Sequence, residues 1–335
     1  MRRPAVSILM PVRNEARHLP AALASVLRQS FTDWELVAVD DGSQDATAQI
    51  LAEAARRDAR VRVVTLAPSG LVAALNAGLA ACRAPLTARM DGDDICHPLR
   101  LERQLDYLRA HPHTTVLGCA VRHFPRPALP DGMRAYERWQ NALVSDEQIR
   151  RDLLVESPLV HPSVVFRTDA VTGAGGYRDA GWAEDYDLWL RLAARGARFA
   201  KVPQLLFFWR DRPERLTRTA PTCSAEAFRA CKVHHLRQGL LKGAREVTLW
   251  GAGIEGKAWM RALGAAGVRV TRWIEVDPRK IGQTIHGAPV APVDALHRGI
   301  APVLVTIGAK GARAQVRDYT ERVGLIEGRD FVCVT

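Results

Sequence analysis

Short apolar runs alternate with helical patterns along the first ninety residues. Val6-Ser7-Ile8-Leu9-Met10 reads as a buried strand, Leu19 to Leu27 as a helix, and Glu35-Leu36-Val37-Ala38-Val39 as a second strand ending in Asp40-Asp41-Gly42-Ser43. Val61 to Leu66 gives a third strand and leads through Pro68-Ser69-Gly70 into the helical spacing of Leu71, Leu75, Gly78 and Leu79. Leu86-Thr87-Ala88-Arg89-Met90 then stops at Asp91-Gly92-Asp93-Asp94. Strand and helix in this alternation predict an α/β domain, a mostly parallel sheet flanked by helices. In such sheets ligands bind beyond the carboxyl ends of the strands, where Pro11 to Glu15, Asp40 to Ser43 and Asp91 to Asp94 all fall. From about Arg122 to Asp152 the pattern has no readable period.

After Thr217 the character changes. Ser224 to Leu241 reads as a basic helix or helical linker, and Val247-Thr248-Leu249-Trp250 as a strand. The turn Gly251-Ala252-Gly253-Ile254-Glu255-Gly256 follows, then an amphipathic helix and a strand ending at Glu275, about where a dinucleotide-binding fingerprint places its ribose ligand. A P-loop is excluded because Ala258 stands where a Ser or Thr hydroxyl must reach magnesium. Strands at Val303 to Ile307 and Phe331 to Val334 complete a smaller Rossmann-like α/β domain. The expected division is 1–222, a linker over 223–243, and 244–335. Gly251, Gly253, Gly256 and Glu275 mark a second nucleotide site for NAD or another nucleotide, or an empty scaffold, since no hydride-transfer residues accompany them.

Three carboxylates at one strand end raise one another's pKa, so Asp91, Asp93 and Asp94 either protonate, spread into water or hold a hard cation such as Mg2+ or Mn2+. The alternative is an Asp-rich turn capping the helix near Pro98. A second constellation is Glu184-Asp185. Adjacent side chains cannot aim at one point, so one is expected to be catalytic and the other structural. Asp185, Leu188, Trp189 and Leu192 share helical spacing, which leaves a helix cap as the competing role for Asp185. His161-Pro162-Ser163 lacks a nucleophile elbow and reads as a turn lining an acceptor cleft, with Trp182 as the stacking candidate and Trp189 as core.

Taken together, Ser7 to Glu15, Val39 to Ser43, Gly70 to Gly78, Ala88 to Asp94, His161 to Ser163 and Glu184 to Trp189 resemble glycosyltransferase family 2, in its order and spacing over roughly residues 5 to 217. The resemblance implies a GT-A fold and an inverting transfer from a nucleoside-diphosphate sugar to a hydroxyl. It places Pro11, Arg13, Asn14, Glu15, Asp40, Asp41, Asn76 and Asp91 around the donor, Asp93 and Asp94 on the metal, and Asp185 as the base with Glu184 beside it. His161 and Trp182 would face the acceptor, a glycan or lipid-linked molecule. The chain departs from the family where Arg212 replaces a usual His; an arginine can pair with the donor diphosphate but cannot ligate a metal. The region after residue 244 resembles nucleotide-binding-like domains found beside some sugar-modifying enzymes, with Asp277 to Gly282 and Gly287 to Val290 as their sequel. A sugar-nucleotide oxidoreductase or epimerase built on that region, or a non-catalytic nucleotide-sugar binder, are the rival functions.

Composition adds little to this. The formal charge of +11 is carried mostly by arginine, with no lysine before Lys201, and no nucleic-acid module is visible. A basic surface would suit an anionic membrane face or a lipid-diphosphate acceptor, met peripherally. The 6 cysteines form no Cys-x-x-Cys pair, and no apolar stretch approaches the ~20 residues needed to span a bilayer. A reducing cytoplasm is the expected location.

Overall fold

In the computed structural model, which describes residues 3–127, 129–300 and 302–335, the apolar runs at the front of the chain lie side by side as strands. The strands of the first sheet are β1 (Val6–Val12), β2 (Trp34–Asp41), β3 (Val61–Leu66), β4 (Leu86–Arg89), β5 (Ile95–Cys96), β6 (Val116–Phe124), β7 (Val165–Arg167) and β8 (Phe199–Arg210). Their order is β3-β2-β1-β4-β7-β6-β8-β5. The β3-β2-β1-β4 half is parallel, whereas β7 runs antiparallel to both β4 and β6 and β5 is antiparallel to β8, so the sheet is mixed beyond the acidic cluster. Register sets the site: Val12 lies opposite Asp40 and Leu9 opposite Arg89, which brings the polar ends of β1, β2 and β4 to one edge. On one face Ile8, Met10, Leu36 and Ala38 pack against Leu19, Leu23, Val26 and Leu51 of the flanking helices.

The stretch that gave no period is ordered. After β6 come the helices Asp131–Ala142 and Asp146–Asp152. The first buries polar side chains: Glu137 accepts from the His123 amide at 2.6 Å, and Gln140 Oε1 accepts from the buried Lys201 ammonium at 2.9 Å. A helix with a polar buried face leaves no apolar stripe to read.

Two units divide the chain: Met1–Ile149 with Pro158–Thr219, and Arg150–Ser157 with Ala220–Thr335. The second holds β9 (Glu246–Trp250), β10 (Arg269–Glu275), β11 (Thr284–Ile285), β12 (Ala288–Pro292), β13 (Val303–Val305) and β14 (Phe331–Cys333), in the order β11-β12-β10-β9-β13-β14. All neighbours pair parallel except β11 with β12, so strand order reverses at β9, between β10 and β13. The expected linker over 223–243 is corrected here, because Val233 and Leu236 of the helix Ala225–Gln238, and Leu241 after it, pack into the second core with Leu249, Trp259 and Leu304. Residues 150–157 also belong to this unit: Arg317 Nη2 donates to Asp152 at 2.6 Å and Lys232 Nζ to the Val155 carbonyl at 2.7 Å.

Glycine at 256 is required by packing, since a Cβ there would lie 1.9 Å from the Gly251 carbonyl oxygen. The Gly256→Ala variant is expected to lose about 3 kcal/mol of stability, seen as a lower urea midpoint in equilibrium unfolding; an unchanged midpoint would mean the turn relaxes freely.

Candidate functional site

The acidic cluster is built on a buried arginine. Arg89 is 2% exposed at the end of β4 and donates from Nη2 to Asp91 Oδ1 at 2.7 Å. Burial works against the Asp91 charge, but Arg89 and then His161 hold its carboxyl below the ordinary value. In its neighbours the nearby arginines do not outweigh burial and repulsion. Burial and the Asp91 charge push Asp93 up to about 6, and burial with Asp93 and Asp91 raises Asp94 well above the usual range. Asp94 Oδ1 accepts from the Arg210 amide at 2.6 Å, while Oδ2 is buried with no hydrogen-bond partner among the described residues. Carboxylate oxygens of Asp91, Asp93 and Asp94 come within 4.8 Å of one another. An all-oxygen donor set with an orphaned buried oxygen and suppressed ionisation fits a hard divalent cation.

A second protein cation touches that set beside Arg89. Arg212 Nε lies 3.0 Å from Asp93 Oδ2, and Arg212 Nη2 donates to Glu15 Oε2 at 2.7 Å. The guanidinium therefore bridges the ends of β1 and β4, the place the family resemblance implies for the donor diphosphate.

The first strand ends converge as expected, but several of their polar atoms are spent on one another. Asn14, at φ 53°, accepts from the Gln44 amide at 2.8 Å, and its own amide donates to Ser43 Oγ at 2.9 Å. Glu15 also meets His18 Nδ1 at 2.6 Å. Asp40 accepts from the Ser43 amide at 3.0 Å, and Asp41 from the Ser69 and Gly70 amides at 2.7 and 3.0 Å. Arg13 sits 3.6 Å from Asp41 and half exposed, while Pro11 is buried in β1. Asn76, expected beside the donor, clamps a distant segment: its side chain donates to the Tyr177 carbonyl and accepts from the Tyr177 amide, both at 2.9 Å. No local pattern in the sequence announces a contact across a hundred residues.

Glu184 and Asp185 open the helix Glu184–Ala194, whose N-cap is Ala183. Asp185 thus lies in the first turn and is not the cap; its Oδ1 accepts from the Tyr186 amide at 2.7 Å. Burial, then the adjacent Glu184 charge, push Asp185 up to about 8. Glu184 Oε1 lies 3.6 Å from His161 Nδ1, and His161 Nε2 lies 2.9 Å from the Tyr177 hydroxyl. His161 is buried, in a 3-10 turn, so it backs Glu184 and does not line an open acceptor surface. Trp182 is half-buried with Nε1 3.3 Å from Asp187 Oδ1, and Trp189 is core. Arg89 links the two carboxylate groups: it is hydrogen-bonded to Asp91 and acts electrostatically on Asp185, Glu184, His161 and Tyr177. The basic residue just before the acidic cluster was its signal in the sequence. Arg215, which the sequence leaves between a solvated basic loop and a phosphate contact together with Arg210 and Arg212, is stacked 4.0 Å over the Trp209 ring and lowers the pKa of all three aspartates.

In the second unit Glu275 Oε1 accepts from the Ala252 amide at 2.9 Å and from Lys280 Nζ at 2.7 Å. The carboxylate expected to meet a ribose is folded back onto the glycine turn. Gly251 and Gly256 serve packing, and only Gly253 faces open space.

The family model described as glycosyl transferase family 2 matches residues 7–172. The amylovoran biosynthesis glycosyltransferase AmsE of Erwinia amylovora is 34% identical over 206 residues, which cover 60% of this chain and 74% of that one. Among solved structures, S. aureus TarS 1–349 in complex with UDP aligns with a TM-score of 0.55 at 18% identity, over 69% of this chain and 65% of that one. The mannosyltransferase PcManGT of Pyrobaculum calidifontis, in complex with GDP-Man and Mn2+, aligns with a TM-score of 0.51 at 20% identity, over 80% and 70%. These likenesses show a GT-A fold.

Proposed function

The chain belongs to glycosyltransferase family 2 and is a nucleotide-sugar glycosyltransferase, and from that premise we propose that it inverts the anomeric centre it transfers, with Asp185 as the base. One observation carries this. Asp185 stands in a helix first turn with its proton affinity raised, joined through Arg89 to the carboxylate cluster at the end of β4. An ordinary aspartate is a weak base toward a sugar hydroxyl; one lifted to about 8 is matched to proton transfer near neutral pH. Asp185 takes the acceptor hydroxyl proton as that oxygen attacks the anomeric carbon from the face opposite the diphosphate. Glu184, steadied by His161, keeps the helix start and its neighbour in place.

Asp93 and Asp94 would hold the divalent ion, Mg2+ or Mn2+, and Asp91 stays committed to Arg89 at the ribose side. When bound, such an ion stabilises negative charge growing on the leaving diphosphate. The nucleoside lies against Pro11 to Glu15 with Asp40 and Asp41 below it, and Trp182 borders the acceptor. The binding of UDP by TarS and of GDP-Man with Mn2+ by PcManGT supports a nucleoside diphosphate and a divalent cation in the corresponding crevice. The acceptor class is a glycan or lipid-linked hydroxyl. Among the described residues no helix is long and apolar enough to cross a membrane.

The test is a screen of UDP-, GDP- and dTDP-sugars with Mn2+ or Mg2+, followed by thermal shift and by release of the nucleoside diphosphate. One donor class is expected to raise the melting temperature and to be consumed when a polyprenyl-linked or free glycan acceptor is added. Nicotinamide reduction without any nucleotide release would replace transfer by redox chemistry.

A further inference from the structure

The second unit contains a cavity of about 650 Å3 that the transfer reaction does not use, walled by the helices Ala225–Gln238 and Ile254–Ala265 and by Gly308 in the turn after β13. Its volume is within the ~300–1,000 Å3 common for small-molecule sites. Arg229, Lys232 and Arg313 all line it. Lys232 is buried, and its ammonium donates to main-chain carbonyls, Val155 at 2.7 Å and Val334 at 3.1 Å, instead of to a carboxylate. Two bonds leave one ammonium N–H unspent. Arg229 donates from Nη2 to the largely exposed Glu255 at 3.1 Å, while its Nε is buried with no hydrogen-bond partner among the described residues. Arg313 Nη1 donates to the Thr335 carbonyl at 2.9 Å. Each cation is thus anchored at one atom and has donors left over.

A buried cation whose hydrogen bonds go to carbonyls and not to a carboxylate is relieved by an anion. Burial pushes Lys232 down to about 8, against the opposing charges of Glu156 and Glu255, which also line the cavity. Glu255 lines it from the first turn of the helix Ile254–Ala265, and the start of that helix has no side-chain cap. On the β10 side the glycine turn is closed, because the Ala252 amide and Glu275 satisfy each other and Lys280 neutralises the carboxylate. A dinucleotide needs both sides of that turn. We propose that this cavity binds one phosphorylated small molecule of mononucleotide size or less, its phosphate held by Lys232, Arg229 and Arg313 and its apolar body against Trp259, and that it does not take a dinucleotide.

Calorimetric titration of the full chain with inorganic phosphate, glucose 6-phosphate, AMP and NAD tests this. AMP or glucose 6-phosphate is expected to bind more tightly than inorganic phosphate and to protect Lys232 from acetylation, read by peptide mass spectrometry on the unmutated protein. Arg313→Gln and Arg229→Gln, both at partly exposed positions, should each weaken that binding about tenfold with far-ultraviolet circular dichroism unchanged. The proposal is overturned by the absence of binding at millimolar probe, by equal affinity in both variants, or by saturation without protection of Lys232. Binding of inorganic phosphate alone, or of NAD more tightly than AMP, overturns the assigned ligand.

Discussion

Asp185→Asn is expected to lower kcat about 1,000-fold while leaving donor affinity within about twofold of the parent. The amide has nearly the shape of the carboxylate, and its oxygen can still accept from the Tyr186 amide, so the helix start keeps its geometry. What it cannot do is take a proton. The donor contacts proposed at β1, β2 and β4 lie on other elements, which is why binding and turnover should separate. In the parent enzyme kcat/KM should rise with pH through about 8, because the free enzyme must lose the Asp185 proton before it can act as base. The stability sign follows from the same shift. The folded chain keeps that proton up to about 8 and the unfolded chain releases it near the ordinary aspartate value of 3.8, so this contribution to stability is fully present below 3.8 and is lost as pH rises through 8. The Asn variant, neutral throughout, should gain on the parent in urea melts above pH 8. Parental turnover in this variant would move the base to another residue. Glu184→Gln should lose less, since Glu184 is engaged with His161 and acts by holding its neighbour.

Much of this was legible from residue order alone, for a physical reason. The central strands β1 and β2 are buried on both faces, so they read as nearly continuous apolar runs, and their polar ends must lie at the edge where a ligand can enter. Glu184 and Asp185 were readable as a pair with divided roles because neighbouring side chains diverge. What stayed hidden depends on contacts between distant segments. Asn76 is a clamp only because Tyr177 folds against it, and His161 is sealed behind Glu184 by the same tyrosine. The helix Ala225–Gln238 reads as a basic linker until Val233 and Leu236 find the second core. The raised proton affinity of Asp185 was also beyond the sequence, since it comes from burial and proximity.

Asp93→Ala is expected to reduce kcat/KM about 100-fold and to abolish the response of donor binding to Mn2+, and Arg212 explains why that response has to be measured with care. Asp93 resists ionising in a buried site beside Asp91, which is the condition a cation would relieve. In the free protein the relief comes from Arg212, 3.0 Å away and also held by Glu15. Any divalent ion on Asp93 and Asp94 must therefore displace a guanidinium, and Arg212, once released, is free to turn its fork toward the donor diphosphate. Two consequences oppose each other. Without donor, Arg212→His should bind Mn2+ about tenfold more tightly than the parent, because the competing charge is gone and an imidazole can ligate. Without metal, the same variant should bind the nucleoside diphosphate more weakly, because the proposed phosphate site loses a bidentate partner. Equal Mn2+ affinity in parent and Arg212→His would show that the guanidinium does not compete for the site. Parental kcat/KM in Asp93→Ala would remove the end of β4 from diphosphate binding altogether.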